Sequence, residues 1–178
     1  YVLCVGYEPR KNIPLAIGAF ADAARSCPDI RLIVVAADAA HRAAFDALAR
    51  RLEVADRVVV LGRVSLQKLV RLYNISDAFL FPSRQEGVGL PPLEAMACGT
   101  ATIAMNATAI PEVVGDAGIL LDTSDQREWA SAICRVMTTP DLRRELALRG
   151  QRRASGFSWH RCAQDTMAVY REACERPA

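Results

Sequence analysis

The chain contains no D-x-D triplet, no C-x-x-C pair and no G-x-G-x-x-G turn. The first absence removes the usual pair of carboxylates that anchors a divalent ion on a diphosphate, and no metal is expected. The second argues against a zinc ribbon or a redox dithiol. The third falls where a nicotinamide site would need it: after the first strand the chain reads GYEPRK, and the acid that should close the second strand, Asp38, comes late after Val35-Ala36. Histidine is scarce too, with only His41 and His160 and no ligand spacing between them.

Net charge is also small. With 22 basic and 20 acidic residues the formal charge is +2, so no global field favours nucleic acid. No apolar run approaches the length of a bilayer span, and nothing near Tyr1 resembles a signal peptide; a soluble, cytoplasmic domain is expected. The six cysteines, at 4, 27, 98, 134, 162 and 174, are interspersed with apolar residues and read as buried free thiols. Asn106-Ala107-Thr108 matches a glycosylation sequon, taken as chance in the absence of a secretory signal.

What is present is a repeated alternation. YVLCVG, Ile30 to Ala36, Arg57 to Leu61, Ala78 to Phe81, Thr102 to Ala104 and Ile119 to Leu121 read as buried strands. Between them lie helical patterns from Leu15 to Ala23, Ala39 to Leu52, Ser65 to Asn74, after Leu90, and Pro111 to Val114. Asn12 is expected to cap the first helix, and Ser65 or Val64 to open the third. Apolar strands joined by helices predict an α/β fold, a doubly wound, mostly parallel, six-stranded Rossmann-like sheet that binds ligand beyond the carboxyl ends of its strands. From about Asp125 a helical tail follows, over Arg127 to Met137, Asp141 to Ala154 and Trp159 to Cys174. One domain is expected over 1–178. The piece RRELALRGQRR reads as a solvated helix face, Met96, Cys98 and Trp129 as core, and Trp159 as the residue that docks the last helix. Tyr1 opens directly in a strand, so residues are expected to precede it.

The chemistry centres on RQEGVGLPPLEAMACGT, Arg84 to Thr100. Gly87 and Gly89 allow positive φ and close backbone approach, and Pro91 and Pro92 suit a first helical turn. Strand, glycine loop and helix N-terminus make a phosphate site. Two acids flank it, Glu86 in the loop and Glu94 about one turn into the helix. Carboxylates repel phosphate but accept hydrogen bonds from sugar hydroxyls, so the pair around an anion site describes a nucleotide-diphosphate-sugar. Arg10 and Lys11, after the first strand, supply cations that would meet a departing diphosphate.

EGVGLPPLE followed by AMACGT resembles the signature of retaining glycosyltransferases of family four, the group 1 transferases with the GT-B fold. GYEPRKN, FPS, IPEVVGD and FSWHRCA resemble further pieces of that family's C-terminal half. The resemblance implies that Glu86 contacts the transferred sugar, Glu94 the ribose, and the amides of Gly87, Val88, Gly89 and Leu90 the sugar and phosphate. It implies that Lys11 and Arg10 hold the diphosphate, although many members place the arginine where this chain has Tyr7, and Val88 stands where many carry phenylalanine. The base is expected against Gly62-Arg63-Val64, and Glu112 is expected to be structural. The likeness of GYEPRKN to bacterial polysaccharide mannosyltransferases leans toward GDP-mannose, with UDP-sugars open. The acceptor would be held by a separate N-terminal domain absent from this chain, leaving the isolated chain inactive, and the full enzyme would touch the membrane peripherally. A nucleotide-sugar epimerase and a non-catalytic binding module are the alternatives.

Overall fold

Short apolar runs closed by glycine or polar residues become strands because a segment buried on both faces needs every side chain apolar. A computed structural model describes residues 1–35 and 38–175. Its elements alternate: β1 (Val2–Val5), a 3-10 turn (Pro9–Lys11), α1 (Ile13–Ser26), β2 (Leu32–Val35), α2 (Ala39–Arg51), β3 (Val58–Val60), α3 (Leu66–Ile75), β4 (Ala78–Phe81) and α4 (Leu90–Ala97). Then come β5 (Ala101–Met105), α5 (Ile110–Val114), β6 (Ile119–Leu121), α6 (Gln126–Thr138), α7 (Pro140–Ser155) and α8 (Trp159–Glu175). The expected strand from Ile30 to Ala36 is seen as β2; Ala36 lies outside the described residues.

All strand pairings are parallel, in the order β3-β2-β1-β4-β5-β6. The chain lays down β1, β2 and β3 toward one edge, then returns to the other side of β1 to place β4. This reversal is what opens a crevice between the carboxyl ends of β1 and β4, the switch point where doubly wound sheets take their ligands. The α/β, Rossmann-like expectation holds, and so does the helical end.

The core runs from Val2 to Ala154. Trp129 is fully buried and its indole N–H donates to the Thr123 carbonyl at 2.8 Å, so its assignment to the core is right, as is that of Met96. The arginines of α7 are less idle than a solvated face implies. Arg153 donates to the carbonyls of Glu112 and Val113, Arg149 reaches the Asp116 carbonyl, and Arg143 pairs with Asp77.

Three expectations fail. Asn12 does not cap α1: the turn at Pro9–Lys11 closes through an Asn12 N–H to Pro9 carbonyl bond, which puts Asn12 at φ 52 with no side-chain cap. Trp159 does not dock α8, since it is 77% exposed and no residue of that helix is buried; Ser158 does cap it, accepting from the Arg161 amide at 3.1 Å. Nor are all cysteines buried. Cys4 and Cys27 are, Cys98 and Cys134 are half-buried, and Cys162 and Cys174 on α8 are exposed.

Candidate functional site

The crevice between β1 and β4 is filled by charge. Lys11 ends the 3-10 turn after β1, and its stem crosses Gly6, whose φ of +125° suits glycine and where a Cβ would come within 2.7 Å of the Lys11 Cγ. That stem lies flat, and the ammonium emerges 4.9 Å from the ring centroid of Phe81 at the end of β4. There Lys11 Nζ donates to Glu86 Oε1 at 2.7 Å. The side chains are only 10% and 8% exposed, which makes this a largely buried ion pair. Arg10, far more exposed, approaches the other oxygen, Oε2, at 3.8 Å and also reaches Glu8. Glu8 titrates low: partial burial works to raise it, but the bond from Arg10 and the charges of Arg10 and Lys11 outweigh that.

Glu86 is held by more than cations. The fully buried Ser83 donates to Oε1 at 2.5 Å, and the backbone N–H of Glu86 donates to Thr108 Oγ1 at 3.0 Å. Thr108 sits at φ 50, where a β-branched residue is strained, and the bond to the Glu86 amide offsets part of that cost. Arg84 N–H donates to the Arg10 carbonyl at 2.9 Å, so the β1 and β4 loops are tied to each other directly.

Gly89 stands before α4 at φ +90, as the loop reading requires; Gly87 does not take positive φ. Of the first helical turn only Leu90 carries a free amide, since Pro91 and Pro92 have none and Leu93 N–H already bonds the Gly89 carbonyl. An anion here would therefore rest on the loop amides of Gly87 to Leu90 and on the two cations more than on the helix end. Val88 and Leu90 are exposed beside this loop.

Glu94, on the exposed side of α4, accepts from the Tyr73 hydroxyl at 3.0 Å through Oε2. Burial, and then the Glu94 charge, drive the Tyr73 phenol far above its ordinary range, so it remains a donor. Gly62, Arg63 and Val64 follow β3, two strands from β1 on the same sheet edge, and among the described residues no hydrogen bond or ion pair joins them to the Glu86 cluster. Glu112 contributes its backbone carbonyl to Arg153 while its side chain is exposed. The structure thus brings Arg10, Lys11 and Glu86 into one cluster, with the Gly87–Leu90 loop leading from it to Glu94. Sequence reasoning did not single out Ser83, Thr108 or Tyr73. Ser83 lay inside the quoted FPS, Thr108 appeared only in a sequon set aside as chance, and Tyr73 carries no local signal.

An ion-paired cluster at the switch point of a parallel sheet defines an α/β, Rossmann-like domain. The chain belongs to the glycosyl transferases group 1 family, whose model matches residues 1–153. It is 31% identical over 171 residues to a D-inositol 3-phosphate glycosyltransferase of Segniliparus rotundus, covering 93% of this chain and 38% of that protein. It is 39% identical over 111 residues to the O-antigen chain mannosyltransferase B of Escherichia coli, covering 62% and 29%. Among solved structures it resembles a sucrose-phosphate synthase of Thermosynechococcus elongatus with a TM-score of 0.84 and 27% identity, over 97% of this chain and 45% of that one. The chain thus spans less than two-fifths of the length of either sequence relative.

Proposed function

We propose that this chain is the donor-binding half of a retaining glycosyltransferase that uses a nucleotide-diphosphate-sugar, with GDP-mannose favoured. The observation that carries the reading is the buried Lys11–Glu86 pair at the β1/β4 crevice, flanked by Arg10. A diphosphate entering there brings negative charge to cations now held by Glu86 and, for Arg10, also by Glu8. Lys11 and Arg10 shift toward the phosphates, and Glu86 Oε2 gains freedom to accept from hydroxyls of the sugar. As the anomeric carbon–phosphate oxygen bond breaks, charge grows on the leaving diphosphate and the cations hold it more tightly than the ground state. The acceptor oxygen forms the new bond to that carbon and passes its proton to the leaving phosphate. No metal is invoked: Lys11, Arg10 and the loop amides supply the neutralising charge. Glu94 accepts from the ribose, and the base lies along Gly62-Arg63-Val64.

The mannosyl preference is supported by the mannosyltransferase among the relatives. The acceptor belongs to a separate N-terminal half, and the uncovered apolar face of α8 is suited to pack against it. The whole enzyme would act at the cytoplasmic side of a membrane carrying its acceptor; no helix among the described residues is long and apolar enough to cross one.

Calorimetric titration with GDP, UDP, ADP and inorganic phosphate tests the reading. One nucleoside diphosphate should bind at least about tenfold more tightly than phosphate, a difference of about 1.4 kcal/mol. The isolated chain should transfer no sugar from a radiolabelled donor. Equal, weak binding of all four ligands would overturn the reading in favour of a non-catalytic module.

A further inference from the structure

We infer that Tyr73 is a positioning residue for the nucleotide: its buried hydroxyl fixes the Glu94 carboxylate so that one oxygen is committed to the protein and the other faces the ribose diol. The inference rests on Glu94 being the ribose contact.

Tyr73 lies on α3, outside the motif that carries Glu94, and is 1% exposed. Its ring stands edge-on to Phe79 of β4 at 5.5 Å, and its backbone carbonyl accepts from the buried Thr100 hydroxyl at 2.8 Å. Packing thus holds the ring, and the Thr100 bond holds the backbone that carries it, where the hydroxyl meets Glu94 Oε2. Glu94 is exposed, and a free glutamate there would sample several rotamers and lose that freedom on binding. Among the described residues its Oε1 has no hydrogen-bond partner. The asymmetry gives one oxygen, at a set angle, to accept from neighbouring hydroxyls. A buried tyrosine does need a partner for its hydroxyl in any case. A purely packing role predicts no effect on which sugar is bound, and that separates the two accounts.

The test compares GDP, UDP and ADP, each with its 2′,3′-dideoxy counterpart, and reads the ratio of dissociation constants for the tightest-binding base. Two hydroxyls on a carboxylate should favour the ribose form by about 10- to 100-fold. Glu94→Ala should bring that ratio near one. Tyr73→Phe should lower it by about 3- to 10-fold while leaving dideoxy binding unchanged, because only the preorganisation of Glu94 is lost. If Tyr73→Phe leaves the ratio intact while Glu94→Ala abolishes it, Tyr73 merely fills space and the inference is wrong. If Glu94→Ala itself leaves the ratio intact, the ribose reading of Glu94 fails and takes this inference with it. Should Tyr73→Phe not fold, 3-fluorotyrosine at position 73 keeps the shape and makes the phenol a stronger donor. The ratio must then change, and an unchanged ratio overturns the proposal.

Discussion

At the carboxyl edge of the sheet a charged cluster is closed on itself; beyond α7, an amphipathic helix is open along its length. Glu86 has a side chain 8% exposed and three partners in Lys11, Arg10 and Ser83. Trp159, Met167, Val169 and Tyr170 of α8 are each about half exposed or more. Apolar residues are expected inside and charges outside, and these two regions reverse that order. The edge can bury charge because each charge has a counter-charge from the neighbouring strand's loop. The helix exposes hydrocarbon because none of its described residues is buried against the rest of the domain. In the function proposed above, each inversion has a use: a ligand would replace one ion with another, and a partner surface would remove Trp159 from water.

The harshest way to break the comparison is Lys11→Ala. Removing one member of a buried pair leaves the other charged and poorly solvated, which costs about 3–5 kcal/mol. Urea denaturation should show that loss, and nucleoside diphosphate binding should vanish with it. The double variant Lys11→Met with Glu86→Gln should recover most of the stability and none of the binding. A loss below about 1 kcal/mol in the single variant would mean that the pair behaves as an exposed salt bridge and that the edge is no more closed than α8.

Much of this was legible in the chain itself, for local reasons. Ala78–Phe81 and Ile119–Leu121 match their expected limits because apolar runs end abruptly at polar or glycine residues. Ser65 caps α3 as read, accepting from the Lys68 amide. The motif residues were named, but their relation was not. Lys11 and Glu86 are 75 residues apart, and the sequence reading gave one to the diphosphate and the other to the sugar. Only the β1–β4 adjacency makes them each other's partner. Asn12 failed as a cap because a tight turn just before it took its backbone first. Trp159 failed because helical spacing reports which face is apolar and is silent about what covers it.

A finer contrast runs through the thiols. Burial pushes the Cys4 thiol up from 9.0 to about 12, against the opposing pull of the Val5 amide and the Lys11 charge. Burial, with Cys27 3.4 Å away, pushes Cys134 up to about 11. A thiol whose folded value is raised contributes its full stability below the unfolded value and loses it as pH climbs through the folded one. Stability should therefore decline from about pH 9 toward 12. Replacing Cys4 with alanine should flatten that decline. At pH 8 a disulfide reagent should label Cys162 and Cys174 promptly and Cys4 only on unfolding. Prompt labelling of Cys4 would show that the middle of the sheet opens as readily as the helix.

The smallest effect is the most discriminating. Trp159→Ser removes the largest exposed side chain of α8, and in this isolated chain it should change stability by no more than about 0.5 kcal/mol, as substitutions away from packed contacts do. In a protein that includes the proposed acceptor half the same change should cost about 3–5 kcal/mol if the indole is buried there. The two measurements together separate a helix that lacks its partner from one that simply tolerates water. A large loss in the isolated chain would place Trp159 against the domain, and the contrast between the two regions would collapse into one continuous core. Near-neutrality in both settings would make α8 a solvent-facing appendage, and the partner surface would have to be sought elsewhere on the domain.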